Sequence, residues 1–296
     1  MVPDKSDPPR ELASEAWLRR ILSAALLWFQ RRRRQSFDRF LGEDAWIVAP
    51  HPDDEVLGCG GTILRKRRLG AEVRVVFLTD GEGSHPDALS AKELATRRRD
   101  EAIRACRALN VTTDRVFFLG LTDGALKDQI DACVTNLSDL FARHRAGQFF
   151  VPHRMEPPSD HKAAWCATTA ALDRLQMQAT VLEYSVWCWD RWPFVRLGPG
   201  GGVLRRVARR ARDMFWAMSW LFGCRAWVDV SDVADAKNDA LAKHVSQMHG
   251  LPEAPNAPTL RTLRNGDFIE RLLGPYEIFD SVTVAASTNT NVRTDG

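Results

Sequence analysis

The segment 45–64 constrains the fold of this chain more than any other stretch of its sequence. A short apolar run, AWIV, is followed directly by APHPDDE and then by VLGCGGTIL. Apolar runs bounded by turn residues are typical of buried strands, and the glycine-rich segment predicts a turn into a helix that ends near Leu69. Four polar side chains therefore emerge together at the end of a buried strand: His51, Asp53, Asp54 and Glu55. In open α/β sheets, ligands bind at that edge.

These residue types suit a metal site. Histidine nitrogen and carboxylate oxygen are common zinc ligands, and a spare carboxylate beside the metal is suited to act as general base for water. The alternative is that the acidic residues only cap the following helix, since Asp and Glu favour a helix N-terminus. Capping accounts for one or two carboxylates, but not for a histidine held between Pro50 and Pro52.

A repeating strand–helix pattern follows this segment. Apolar runs predict strands near residues 45–49, 73–79, 115–119, 148–152 and 180–187, and helical periodicity fills the gaps near 57–69, 90–109, 127–145 and 161–177. Such alternation predicts an α/β fold with a doubly wound, mostly parallel sheet and helices on both faces. At 296 residues and 45% hydrophobic, the chain has enough apolar side chains for one large core.

Polar or glycine-rich loops follow the predicted strands and share one edge, because parallel strands end on the same side of a sheet. They are the segments 80–85, 120–124, 153–161 and 187–190. The edge that holds His51 is therefore the predicted active-site face.

The string PHPDDEVLGCGG resembles the signature of the PIG-L/LmbE-like de-N-acetylases. The resemblance runs from about Trp46 to about Trp187, with weaker echoes at 237–247 and 274–279. It implies a Rossmann-like fold and a zinc (Zn2+) hydrolase. The implied reaction removes the acetyl group from an N-acetylglucosamine-type sugar conjugate, linked to a lipid, a glycan or a metabolite, and leaves acetate and a free amine.

The resemblance also implies roles for particular residues. The zinc ligands are expected to be His51, Asp54 and His161, with Asp53 as general base and Asp160 supporting the imidazole of His161. Pro158 stands where the family often has a further histidine that stabilises the oxyanion or protonates the leaving amine. Three alternatives stay open: His153, on the same loop, takes that role, Asp53 carries the proton both ways, or the enzyme is slow.

Three further residues match substrate-side motifs of the family: Glu82 in a T-x-G-E-like loop, Arg97 in an R-x-x-x-E-like helix, and Asp123 in a p-D-g-like loop. Each has a simpler interpretation. Arg97 and Glu101 have the spacing of a surface pair one helical turn apart. Asp123 before Gly124 is equally typical of an Asx turn.

Two basic, aromatic-rich segments lie outside the predicted core. Segment 14–34 is an amphipathic helix pattern that ends in four arginines, and segment 203–222 alternates arginines with apolar residues after the glycine-rich hinge 198–202. Such composition favours an anionic membrane surface, whereas packing against the domain is the alternative. We therefore expect peripheral association with the inner face of a membrane. No recognition motif indicates nucleic acid.

The predicted organisation has five parts: an N-terminal basic amphipathic extension (1–43), the catalytic core (44–190), a hinge with the basic-aromatic insertion (191–230), the C-terminal part of the catalytic domain (231–285) and a disordered tail (286–296).

The longest apolar run near the N-terminus, residues 21–29, is too short to span a bilayer. Six scattered cysteines without a C-x-x-C pair predict no disulfide framework and favour a cytoplasmic location.

Two rival functions come from other classes. A nucleotide-binding Rossmann protein would need G-x-G-x-x-G, which the GCGG run from Gly58 to Gly61 does not match, and the carboxylates beside it would repel a pyrophosphate. A catalytically weak or inactive membrane-associated glycan- or lipid-binding protein is the second rival, and Pro158 is the feature that motivates it.

Overall fold

One eight-stranded sheet organises the described part of the chain. The computed structural model describes residues 35–84, 88–191, 215, 220 and 222–284. The strands are β1 (Gln35–Ser36), β2 (Ala45–Ala49), β3 (Val73–Thr79), β4 (Val116–Leu121), β5 (Gln148–Pro152), β6 (Ala179–Tyr184), β7 (Ala226–Asp229) and β8 (Tyr276–Val284). Their order in the sheet is β1-β7-β8-β6-β5-β2-β3-β4. Only β8 runs antiparallel to its neighbours, β6 and β7, among these strands.

Helices cover both faces of the sheet. They are α1 (Asp54–Arg68), α2 (Ala91–Ala108), α3 (Ile130–Arg143), α4 (Ser159–Arg174), α5 (Ala234–Leu241), α6 (Val245–Met248) and α7 (Asp267–Leu272). Successive residues of β2 point to opposite faces, as the pleat of a strand requires. Ile47 packs in the apolar cluster formed with α1, α2, α5 and α7, whereas Trp46 and Val48 pack in the cluster formed with α3 and α4. The predicted α/β fold with a mostly parallel sheet is confirmed.

The apolar runs located the central strands well. The predicted strands at 45–49, 73–79 and 148–152 have the observed bounds, and the other two differ from β4 and β6 by a few residues. Helix α1 begins at Asp54, three residues before the predicted start, because it opens with two buried acidic residues, Asp54 and Glu55, that lie outside the apolar pattern. Strands β1, β7 and β8 were not predicted. A two-residue or four-residue strand is too short to show a period, and the partners of β8 are remote in sequence.

The strand order reverses between β2 and β5. From β2 the chain moves outward to β3 and β4, and it then returns to β5 and β6 on the other side of β2. The carboxyl ends of β2 and β5 therefore flank the switch point, where ligands bind in doubly wound sheets. His51 follows β2 and Glu156 follows β5.

Several predicted features lie outside the described residues: the N-terminal helix 14–34, the hinge 198–202, most of the segment 203–222, and the tail 286–296. Two of the predicted regions outside the catalytic core contribute strands to the sheet. Strand β1 comes from the predicted extension 1–43, and it pairs with β7 from the predicted insertion 191–230.

Among the residues that the structure describes, no helix is both long enough and apolar enough to cross a bilayer. All six cysteines are free, and only Cys166 is exposed.

Candidate active site

Three predicted metal ligands meet at the switch point. His51 follows β2, Asp54 opens α1, and His161 lies in the first turn of α4. Oδ2 of Asp54 lies 3.2 Å from Nδ1 of His51 and 3.4 Å from Nε2 of His161. Bonds of about 2.0–2.1 Å to a tetrahedral zinc separate two ligand atoms by roughly 3.3 Å. The three side chains therefore have the spacing and the donor set of a zinc site, with His51 as the partly exposed member.

The imidazole of His161 provides an independent test of that fit. The side chain is fully buried, and neither ring nitrogen has a hydrogen-bond partner of good geometry within the described residues. Leaving a buried polar atom unpaired costs on the order of 1–3 kcal/mol. A cation held between Nε2 and the carboxylate of Asp54 would remove that cost, so the residues present fit a metal ion.

Glu156 orients the imidazole of His161. Its Oε2 atom lies 3.2 Å from Nδ1 of His161. The carboxylate is itself held by the backbone N–H groups of Val186, Trp187 and Cys188, at 2.8–3.1 Å. Metal-binding histidines usually direct their second nitrogen to a carboxylate of this kind. Sequence reasoning missed Glu156, although an acidic residue five positions before the expected ligand was a visible signal.

Asp160 supports a different histidine from the one predicted. Its Oδ2 atom lies 3.4 Å from Nε2 of His51, and it accepts hydrogen bonds from the backbone N–H groups of Gly124 and Leu126. Adjacent residues on a helix point about 100° apart, so Asp160 and His161 face different directions. Oδ1 of Asp123 lies 3.0 Å from the same nitrogen of His51. Each candidate histidine ligand thus has its own carboxylate support.

The charges of the three predicted metal ligands His51, Asp54 and His161 (the metal triad) are mutually stabilised. Burial alone would raise the pKa of Asp54, but His161 and His51 outweigh it and hold that pKa well below its usual range. Burial alone would lower the pKa of His161, whereas Asp54 and Glu156 raise it to about 9. The site is therefore built to hold positive charge among carboxylates.

Asp53 has an unusual backbone conformation beside the triad. It occupies the N-cap position of α1 with φ of 127° and ψ of −31°, and its side chain makes no capping hydrogen bond. The capping interpretation is therefore wrong for Asp53. Burial raises its pKa to about 7, although the Arg98 guanidinium acts in the opposite direction. A carboxylate with a pKa near neutrality is well matched to general-base work.

Arg98, and not Arg97, reaches this site. Arg98 is 3% exposed and donates to the carbonyl oxygens of Gly81 at 2.8 Å and Pro52 at 2.5 Å. Arg97 is 39% exposed, and its Nη2 atom lies 3.7 Å from Glu253. The buried positions of α2 lie along one face of the helix, and this pattern is a signal that could have identified Arg98. They are Leu94, Arg98, Glu101, Ala102, Ala105 and Cys106. The substrate-binding role assigned to Arg97 stays a prediction.

Glu82 and Asp123 join two loops at the rim. Oε1 of Glu82 accepts the backbone N–H of Asp123 at 2.9 Å, and Oδ2 of Asp123 accepts the backbone N–H of Gly83 at the same distance. The structure therefore brings Asp123 into contact with His51, and it joins Glu82 to the site only through the backbone of Asp123. Their contact with substrate stays a prediction.

His153 lies in a separate buried cluster. Its Nδ1 atom accepts the backbone N–H of Met155 at 3.0 Å, and Nε2 faces Glu183 at 3.6 Å and Asp280 at 3.9 Å. Arg154 donates to both of these carboxylates. Neither ring nitrogen of His153 contacts a member of the metal triad. The catalytic role assigned to His153 therefore stays a prediction without a contact to support it.

The sequence of this chain is similar to one protein family and to a curated deacetylase. A family model described as PIG-L, GlcNAc-PI de-N-acetylase, matches residues 46–172. The chain is 30% identical over 236 residues to a 1D-myo-inositol 2-acetamido-2-deoxy-alpha-D-glucopyranoside deacetylase from Mycobacterium sp. (strain KMS), covering 68% of this chain and 73% of the relative.

Solved structures share the fold. The N,N'-diacetylchitobiose deacetylase from Pyrococcus horikoshii superposes with a TM-score of 0.58 at 18% identity, covering 95% of each chain. GalB, the 4-carboxy-2-hydroxymuconate hydratase from Pseudomonas putida, superposes with a TM-score of 0.52 at 17% identity, covering 84% of this chain and 99% of GalB. Because this fold also carries hydratase chemistry, fold similarity alone does not decide the reaction. The family match and the curated relative do establish kinship: the chain belongs to the PIG-L family of GlcNAc-PI de-N-acetylases.

Proposed function

We propose that this protein is a zinc-dependent deacetylase that hydrolyses the N-acetyl group of an N-acetylglucosamine-type sugar conjugate. The observation that carries the proposal is the placement of Asp53, whose pKa is raised to about 7 by burial, beside three side chains with the spacing of zinc ligands. The names of the relatives support the substrate class. Both the mycobacterial and the Pyrococcus proteins are deacetylases named for acetamido sugars.

The metal would be held by Nδ1 of His51, the Asp54 carboxylate and Nε2 of His161. When bound, zinc supplies a Lewis acid that lowers the pKa of water toward about 7 and polarises a carbonyl. Glu156 and the pair Asp123 and Asp160 keep the two imidazoles oriented through their second nitrogens. This support makes the site rigid before substrate arrives.

Asp53 carries the proton in this proposal. Arg98 holds Oδ2 of Asp53, which leaves Oδ1 to take a proton from the attacking water. The water oxygen forms the new bond to the amide carbon, and the C–N bond then breaks. Asp53 returns the proton to the leaving nitrogen, so that acetate and a free amine are released. This route needs no further histidine at the position of Pro158.

The test is acetate release from a panel of N-acetylglucosaminyl conjugates. Metal-free protein, zinc-loaded protein and zinc-treated His161→Ala protein are compared on inositol-, chitobiose- and lipid-linked substrates. We expect acetate only from the zinc-loaded wild-type protein. If that protein binds a conjugate in calorimetry but releases no acetate, it is a binding member of the family and the proposed function is wrong.

We also propose peripheral contact with an anionic membrane surface through the segments 14–34 and 203–222. Support comes from their composition and from two described side chains of the second segment, since Phe215 is 75% exposed and Phe222 is 50% exposed. Trp220 of the same segment is buried and donates to Ser185, so it belongs to the core and not to the proposed surface.

Arginine near an anionic bilayer contributes roughly 1 kcal/mol per residue. We therefore expect co-sedimentation with anionic vesicles at low salt, and clearly weaker co-sedimentation after five substitutions to Gln, at Arg205, Arg206, Arg209, Arg210 and Arg212. Neutral vesicles are the control. Equal binding by the two proteins would contradict the proposal.

A further inference from the structure

The backbone of Asp53 is held in a conformation that amino acids with side chains rarely adopt. Its φ of 127° lies in the region that favours glycine. Such conformations persist only where the surrounding contacts over-determine them, and they cluster at functional sites. The residues that impose this conformation are therefore of interest for the reaction.

A buried carboxylate holds the amide of Asp53. The backbone N–H of Asp53 donates to Oε2 of Glu55 at 2.9 Å, and the carbonyl of Asp53 accepts the N–H groups of Val56 and Leu57 at 3.1 and 3.0 Å. Both ends of the residue are thus fixed, one by the first turn of α1 and one by the Glu55 side chain. Without the Glu55 contact, an Asp at an N-cap usually adopts extended φ and ψ and turns its carboxylate onto the helix N–H groups.

His244 fixes Glu55 from the C-terminal part of the chain. Its Nε2 atom lies 2.8 Å from Oε1 of Glu55, and both side chains are fully buried. The backbone of His244 is anchored as well, because its N–H donates to Leu241 and its carbonyl accepts the N–H of Met248. Ser246, two residues later, donates to Glu101 of α2 from both its backbone and its hydroxyl group. The imidazole is therefore a rigid support for the carboxylate.

We propose that Glu55 and His244 are positioning residues of the deacetylation, which hold Asp53 in its positive-φ conformation so that its carboxylate stays free to act as base. This inference rests on the proposed function of Asp53. Neither residue needs to touch substrate or metal. Their contribution is to keep the base off the end of α1 and beside the triad.

The competing explanation is that the pair only ties the C-terminal segment to α1. The chain offers a matched control for it. Lys237 and Glu277 form a second buried ion pair, 2.8 Å apart, and Glu277 accepts the N–H groups of Gly61 and Thr62 in the middle of α1. This pair joins the same two parts of the chain without contacting Asp53.

The experiment compares four variants of the zinc-loaded full-length protein. Glu55→Gln keeps the shape but has only one oxygen, so it cannot accept from both Asp53 and His244. His244→Leu removes the donor, whereas His244→Gln retains one. Glu277→Gln is the control. The measurements are kcat, KM, bound zinc and melting temperature.

We expect Glu55→Gln and His244→Leu to lower kcat by about 10- to 100-fold, since small misplacements of a catalytic group have effects of that size. Bound zinc and KM stay within about twofold of wild type, His244→Gln recovers part of kcat, and Glu277→Gln lowers the melting temperature but not kcat. Unchanged kcat in Glu55→Gln, or an equal loss in Glu277→Gln, would overturn the inference.

A readout independent of turnover keeps the inference separate from the proposed function. Amide hydrogen exchange at Asp53 should be faster in Glu55→Gln and His244→Leu than in Glu277→Gln, because only the first two weaken the hold of residue 55 on its N–H group. If wild-type protein releases no acetate, the proposed function fails, and exchange still decides whether the pair holds Asp53. Unchanged exchange would overturn the inference whatever the activity.

Discussion

Nη2 of Arg98 lies 3.2 Å from Oδ2 of Asp53, and both side chains are buried. The arginine comes from α2 and the aspartate from the turn between β2 and α1. Burial raises the pKa of Asp53, and the neighbouring guanidinium lowers it, so that the pKa is about 7. The balance between these two effects determines how much of the base is ionised at neutral pH.

Arg98→Met should therefore move the acidic limb of the pH–rate profile to higher pH. Removing the positive charge takes away the largest effect that opposes burial. The pKa of Asp53 then rises further, and less of the carboxylate is ionised at pH 7. The measurement is kcat/KM between pH 5 and 9. Arg97→Met is the control variant, and its acidic limb should stay where it is in wild type, because Arg97 makes no contact with Asp53. An unshifted limb in Arg98→Met would show that Asp53 does not titrate in this step.

Asp53→Asn should keep the metal and lose most activity. The amide has nearly the same shape but cannot accept a proton at neutral pH, and loss of a general base lowers rates by about 10²–10⁴-fold. Elemental analysis and acetate release are measured on the same preparation. Acetate release close to that of wild type would remove Asp53 from the mechanism.

His161→Ala and Glu156→Gln should weaken metal binding to different degrees. The first removes one of three protein ligands and should abolish stoichiometric zinc. The second only removes the negative charge behind Nδ1 of His161 and should weaken zinc affinity by about 10–100-fold. Competition with a chelator measures both affinities. Full retention of zinc by His161→Ala would show that the ligand assignment is wrong.

Lys66 should give the free energy of unfolding a characteristic pH dependence. Its ammonium group is buried and donates to the carbonyl of Glu43 at 2.7 Å. Burial lowers its pKa to about 8. An unfolded chain keeps this proton until about pH 10.4, so between the two pKa values the unfolded state binds more protons and the contribution of Lys66 to stability rises with pH.

The free energy of unfolding of wild type minus that of Lys66→Met should therefore increase by up to about 3 kcal/mol between pH 7 and pH 10. Urea titrations of both proteins at the two pH values measure it. The buried cysteines contribute equally to the free energy of unfolding of both proteins, so their titration cancels in the difference. A constant difference would mean that Lys66 keeps its ordinary pKa.

The sequence by itself determined the central strands, and it predicted that His51, Asp54 and His161 would meet. Strands β2, β3 and β5 are buried on both faces, so their apolar runs are strong local signals with turn residues at each end. Parallel strands end at one edge, so the order of elements along the chain was enough to place the loop of His51 beside that of His161. Short strands and the antiparallel β8 have no such local signal, because they exist only through pairing with remote partners.

Only the tertiary structure decided which neighbouring side chains serve the site. Helical periodicity tells which face of α2 is buried, but the groups that meet Arg98 come from the loops of Pro52 and Gly81. Glu156 is held beside His161 by the loop after β6, because three backbone N–H groups of that loop donate to the Glu156 carboxylate. His244 meets Glu55 across 189 positions of sequence. Such contacts depend on how distant elements pack, and a local pattern of residue types does not record that packing.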